Sequence, residues 1–187
     1  MRLVAVSIVK NEADVIEVFI RHTSTWVDHH LIFDHDSTDG TREILEALRQ
    51  EGVPITLYTD NALANLQQIR SNYLSRLAAL SFGADWILPL DADEILVGPD
   101  RKSLEACLRE SGSEYPYSLR LLNYYPTAED NSSEMNPIHR LRYCQTVPSH
   151  TKKIMIPGPL VHTEHVTAGK GSHALYRGTK LIPDNPL

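Results

Sequence analysis

Four consecutive positions, Asp91-Ala92-Asp93-Glu94, follow directly on the apolar run Trp86-Ile87-Leu88-Pro89-Leu90. Carboxylates gathered at the mouth of a buried segment repel one another and resist desolvation, so they call for a cation or a bound proton. A divalent metal is the simplest such cation. Alternate residues of an extended segment face the same way, which would turn Asp91 and Asp93 toward one hard ion. A solvated acidic turn is the plainer alternative.

A second polar cluster, Asp34-His35-Asp36-Ser37-Thr38-Asp39-Gly40-Thr41, follows the apolar triplet Leu31-Ile32-Phe33. Asp34 ends that triplet and is placed to accept a hydrogen bond from a base or a ribose. Ser37, Thr38 and Asp39 also suit helix capping, since each has a side-chain oxygen for a free backbone N–H. The third cluster is Lys10-Asn11-Glu12 after Leu3 to Val9, by itself ordinary turn chemistry. Lys152 and Lys153 read as a solvated surface pair that could face a phosphate.

The elements that must position these clusters alternate between strand-like and helix-like runs over the first hundred residues. That is the pattern of an α/β layer fold with a mainly parallel sheet flanked by helices. Strands are expected at 3–9, 31–33, 54–59 and 86–90, with Pro89 at a strand end because it cannot donate to a ladder. Helices are expected at 12–25 with Asn11 as cap, at 42–50 closed by Gly52, and at 63–80. Beyond Pro99 the regularity weakens: a short helix at 104–110, a strand at 118–122, and an acidic and amide-rich loop from Pro126 to Pro137. In an open α/β sheet, ligands bind outside the carboxyl ends of the strands, so the three clusters should share one rim.

A chain of 187 residues is long enough for one domain with a sizeable core. Its 42% hydrophobic and 22% charged residues are those of an ordinary folded protein. With 18 Lys and Arg against 24 Asp and Glu the net charge is −6, which disfavours a nucleic-acid partner. Cys107 and Cys144 match no metal or redox spacing, so a reduced cytosolic chain is expected. The opening residues read as a first strand rather than a signal peptide. No apolar run approaches the roughly 20 residues of a membrane span.

Taken together, Val6-Ser7-Ile8-Val9-Lys10-Asn11-Glu12, Asp34 to Thr41 and Leu90-Asp91-Ala92-Asp93-Glu94 resemble the family 2 glycosyltransferases of the GT-A fold, in the branch with a KNE first turn and a DxDE metal motif. The resemblance covers the first hundred residues. It implies one GT-A domain over 1–187, with 1–98 binding a nucleotide sugar and 99–187 facing the acceptor and ending short of the family's usual extent. It implies that Lys10, Asn11, Glu12, Asp34 and Asp36 hold the nucleotide of the donor. Asp91 and Asp93 would bind its diphosphate through Mn²⁺ or Mg²⁺, Asp93 as the direct ligand. Gly171-Ser172-His173 looks like the family's Gly-x-His, which makes His173 a third metal ligand. Transfer would proceed with inversion from a nucleotide sugar, a UDP-sugar first, to a saccharide or lipid-linked acceptor, in a cytoplasmic protein at most peripheral to the inner face of the membrane. The base is open between Asp130, of the pair Glu129-Asp130, and Glu164.

The sequence departs from the family pattern at His35, where an acidic or amide residue commonly meets the base, so the base bound is left open. His162-Thr163-Glu164-His165 has HxxH spacing, but the Pro and Gly residues around it argue against a helix and against zinc. Two other readings stand beside the transferase. One is a nucleotide-sugar-binding module without turnover; the other is a nucleotidyltransferase, which would need a glycine-rich basic loop after the first strand.

Overall fold

The structure, a computed structural model, describes residues 1–59, 66–134, 136–147, 149–163 and 165–186. Its first half runs β1 (Leu3–Val9), α1 (Ile16–Thr23), β2 (His29–Asp34), α2 (Thr41–Gln50), β3 (Ile55–Thr59), α3 (Gln67–Leu80) and β4 (Trp86–Pro89). The second half runs α4 (Arg101–Ser111), β5 (Tyr117–Arg120), β6 (Tyr124–Tyr125), α5 (Pro137–Arg140), β7 (Tyr143–Cys144), β8 (Lys152–Pro157) and α6 (Gly158–Thr163). It ends with β9 (Val166–Ala168), a 3₁₀ turn at Lys170–Ser172, β10 (Leu175–Arg177), β11 (Lys180–Ile182) and β12 (Asn185–Pro186).

Among the described residues seven strands form the central sheet in the order β12-β5-β8-β4-β1-β2-β3, and of these only β8 runs against its neighbours. The expected α/β architecture with a mainly parallel sheet is therefore the one observed. Alternation along each strand feeds two cores. Leu3, Ala5, Val9, Ile32 and Leu88 pack with Ile16, Phe19 and Ile20 of α1 and Leu45 and Leu48 of α2. Val4, Val6, Leu31, Phe33 and Ile87 pack with Leu74 and Ala78 of α3 and Leu160 and Val161 of α6. Both faces of β1 are thus dry, which is why it reads as an apolar run broken only by the buried Ser7.

The parallel strands β1, β2 and β4 bring their carboxyl ends to one edge. Pro89 is the last residue of β4, opposite Val6 and beyond the two residues that pair with β8. The antiparallel β8 enters the sheet at that same edge. Its register, Trp86 with Pro157 and Ile87 with Ile156, sets Lys153 alongside Leu90 when counted on. Gly158 lets the chain leave β8 against β4: a Cβ there would lie 1.8 Å from the carbonyl oxygen of Ala84.

Three expectations about elements are corrected. The first helix begins at Ile16, not at residue 12, and its cap position is Val15 without a side-chain bond, so Asn11 is not its cap. The helix after Pro99 starts earlier, at Arg101, because Asp100 caps it by accepting from the Ser103 amide at 2.7 Å. A helix does run from Gly158 to Thr163. Pro159 stands in its first turn, where a missing N–H costs nothing. Part of the helix expected at 63–80 lies outside the described residues; the rest is α3.

Candidate functional site

The turn after β1 and the turn after β2 are laced together. The amides of Asn11, Glu12 and Ala13 donate to Ser37 Oγ at 2.9 Å, Thr41 Oγ1 at 2.8 Å and Asp39 Oδ2 at 3.0 Å. In return, Asn11 Oδ1 accepts from the Thr38 amide at 2.9 Å. Asn11 holds φ +56°, a conformation asparagine tolerates better than most residues. Ser37 is therefore a cross-brace, while Asp39 both braces the first turn and accepts from the Thr41 amide at 3.0 Å at the start of α2, whose cap position is Gly40 at φ +103°. Asp34 lies at the floor of this lattice, 1% exposed, and accepts from the Ser37 amide at 3.2 Å. Lys10 and Asp36 are exposed on its outer side. Of the residues expected to hold a nucleotide, the side chains of Lys10, Glu12 and Asp36 and the side-chain Nδ2 of Asn11 take no part in these cross-turn bonds.

The tetrad is a turn and not an extended segment. The Glu94 amide donates to the Asp91 carbonyl at 3.0 Å, and Glu94 Oε2 accepts from the Asp91 amide at 2.9 Å. Ala92 is buried between a half-buried Asp91 and an exposed Asp93, and both carboxylates act on Glu12. The charge is met from within the chain. Lys153, 2% exposed, places its Nζ 2.7 Å from Asp91 Oδ2 and 2.9 Å from Glu94 Oε2. The lysine expected at the surface is instead buried in the site. The signal was its neighbourhood: adjacent residues of a strand point to opposite faces, so while Lys152 pairs with Asp184, Lys153 turns the other way, onto the tetrad.

Electrostatics tie the tetrad to the first turn. Glu12 titrates above the ordinary carboxylate range, first because it is partly buried and next because Asp93, Asp14, Asp39 and Asp91 surround it. Glu94 is also raised, chiefly by burial, with Lys153 pulling the other way. Asp39 is lowered, above all by the hydrogen bond from the Thr41 hydroxyl. The three clusters read from the sequence therefore do meet on one rim.

A small cleft of about 20 Å³ opens beside Asp91 and Lys153, with Gln67 and Ser71 of α3 and Gly171 and Ser172 of the 3₁₀ turn on its other walls. Asn72 holds that wall in place, its amide bonded in both directions to the Ala168 backbone at 2.7 and 3.0 Å. His173 follows. Its Nδ1 lies 2.6 Å from the Lys152 carbonyl, which can only accept, so the proton sits on Nδ1 and Nε2 is left as an acceptor. Gly171, at φ +67°, leaves space at that nitrogen: a Cβ there would stand 2.4 Å from Nε2.

The donor set does not fit a metal held by the protein alone. Asp91 and Glu94 are engaged by Lys153, and among the described residues no three His, Cys, Asp or Glu side chains converge to hold an ion. Asp130 closes its own turn, accepting from the Thr127 amide at 2.6 Å, and Glu129 accepts from the Tyr143 hydroxyl. Glu164 lies outside the described residues. His162 sits near the end of α6 and His165 follows it at φ +48°, so the two do not share a helical face.

No family model matches the sequence, and no curated protein is similar to it at a significant level. Solved structures are similar. S. aureus TarS matches 99% of this chain and 37% of its own, at 12% identity and a TM-score of 0.60. A 4-diphosphocytidyl-2C-methyl-D-erythritol synthase from Anaerococcus prevotii matches 88% of this chain and 73% of its own, at 9% identity and TM-score 0.50. A mannosyltransferase from Pyrobaculum calidifontis, solved with GDP-Man and Mn²⁺, matches 63% of this chain and 34% of its own, at 20% identity and TM-score 0.48. The chain spans little more than a third of the length of the first and the last of these. The fold it shares is of the GT-A type.

Proposed function

We propose that this chain is a GT-A glycosyltransferase domain that moves a sugar from a nucleotide donor, a UDP-sugar first, to a saccharide or lipid-linked acceptor with inversion. One observation carries the reading: the laced turns after β1 and β2 and the tetrad after β4 stand on one rim, coupled through Glu12. Nucleotide and diphosphate would then lie side by side along the edge, the pattern of ligands at the carboxyl ends of an α/β sheet. Residues 1–98 serve the donor in this reading and 99–187 the acceptor.

Lys10, Glu12 and Asp36, with Asp34 beneath them, take the nucleotide. Asp93 faces the diphosphate side, where a divalent ion, Mn²⁺ or Mg²⁺, would supply the counter-charge for the leaving group. The acceptor hydroxyl attacks the anomeric carbon in line, the bond to the diphosphate oxygen breaks, and the hydroxyl proton goes to a carboxylate base, Asp130 or Glu164. His173, its Nδ1 bonded to the Lys152 carbonyl, follows Ser172 of the cleft wall. The protein's part is placement and electrostatics.

Nucleotidyl transfer, which the same layered fold can host, calls for backbone amides free to cradle phosphate after the first strand. Those of Asn11, Glu12 and Ala13 are all spent on side chains of the second turn, which favours the transferase. Incubation with a panel of nucleotide sugars and Mn²⁺ tests this. Release of nucleoside diphosphate supports the proposal, release of pyrophosphate selects the nucleotidyl reading, and binding without turnover selects a binding module.

A further inference from the structure

A lysine ammonium removed from water keeps its charge only beside opposite charge. Lys153 is such a group: it is 2% exposed, and both carboxylates within reach belong to the tetrad. Glu94 Oε2 is shared between that ammonium and the Asp91 amide, so moving Glu94 toward any other cation would open the turn as well. Moving Asp91 away would leave a buried ammonium with half its counter-charge.

We infer that Lys153 is the resident cation of the tetrad, a positioning residue that holds Asp91 and Glu94 in their turn and keeps the chain by itself from taking up a divalent ion. Asp91, its side chain 40% exposed, and Glu94 are both paired with the ammonium, so among the described residues Asp93 is the tetrad carboxylate left without an ion pair. One carboxylate is a poor site for Mg²⁺ or Mn²⁺, which are ordinarily held by one or two carboxylates together with substrate phosphates. A divalent ion therefore enters this site only as the companion of a diphosphate. This rests on the rim being a donor site, as proposed above.

The test is a titration of Mn²⁺ into the chain at roughly 0.1 mM, in the range of weak sites, alone and with UDP or GDP, following free Mn²⁺ by its electron spin resonance signal. Wild type should leave Mn²⁺ free when alone and, beyond what the nucleotide chelates in a protein-free control, take it up with the nucleotide. Lys153→Met should take up Mn²⁺ without nucleotide, with affinity raised by about tenfold or more, because two carboxylates are released to it. Lys153→Arg, which keeps the charge, should behave as wild type. A structural role alone would not move the affinity for the bare ion.

Wild type binding bare Mn²⁺ as tightly as with nucleotide, or Lys153→Met binding it no better than wild type, overturns the inference. Since loss of the ammonium can unfold the chain, a measurement on wild type stands beside it: the amide resonances of residues 91–94 should broaden with Mn²⁺ only when UDP or GDP is present. Broadening by Mn²⁺ alone overturns the inference without any mutation. If neither nucleotide binds under any condition the donor-site reading falls, and the arms with bare Mn²⁺ still decide the role of Lys153.

Discussion

Lys153 donates to Asp91 at 2.7 Å across 62 residues of chain, and the lysine is almost wholly out of water. The pair joins the start of β8 to the loop after β4 at the edge where β1 and β2 also end. It fastens the second half of the chain to the acidic turn of the first.

Removing the ammonium leaves two carboxylates crowded in a partly buried turn. Lys153→Met should lower the free energy of unfolding by about 3–5 kcal/mol, read from urea midpoints. Lys153→Met combined with Glu94→Gln should recover part of that loss, and a double mutant no more stable than the single would contradict the pairing.

Asp93 is exposed and supports no packing, so its role is separable from folding. Asp93→Asn should keep stability within about 0.5 kcal/mol while cutting nucleoside diphosphate release by roughly a hundredfold or more. Full retention of turnover would remove Asp93 from the chemistry.

Thr41 is completely buried, and its hydroxyl takes the Glu12 N–H and donates to Asp39 at 2.6 Å. Thr41→Val keeps the shape and deletes both bonds, which should cost about 1–3 kcal/mol and weaken nucleotide binding. Thr41→Ser should be close to wild type in both.

Glu12 is held above the ordinary carboxylate range in the folded state. A raised carboxyl favours the protonated native form, so its penalty is absent at low pH and sets in as pH rises through the folded pKa. Glu12→Gln should therefore stabilise the chain at pH 7, by up to about 0.5 kcal/mol once solvent screening is allowed for, while lowering donor affinity. Thermal melts at pH 4 and 7 should show the gain only at the higher pH.

His30 is buried under α1, its Nε2 3.1 Å from Ser24 Oγ, and burial brings its pKa down to about 4. The native state favours the neutral ring. Stability from this residue is thus complete above the unfolded value near 6.5 and is lost as pH falls toward 4, by about 3 kcal/mol in all. The difference between wild-type and His30→Gln urea midpoints should shrink across that window.

What could be read before the structure was whatever local pattern determines. The strands over 3–9 and 86–90 are apolar runs, the first broken only by Ser7, because both their faces are covered, and the helices of the first half follow from spacing. Asn11 illustrates the limit. Its side chain suits a helix cap equally well, and only the approach of Thr38 from the neighbouring turn decides that it braces instead. Lys153 is the same case at longer range, since its partner depends on the register of β8. The short strands β9 to β11 have little propensity of their own and rest on α3 through Asn72. The shared rim of the three clusters was legible because strand direction alone dictates it.

The insertion of β8 between β4 and β5 has a consequence for synthesis. A ribosome makes the acidic turn some sixty residues ahead of its lysine, and β4, formed by then on its β1 side, waits with an open edge. The nascent first half is consequently both over-charged at its rim and unpaired at its margin until β8 arrives, which makes the sheet's final closure a late, long-range step.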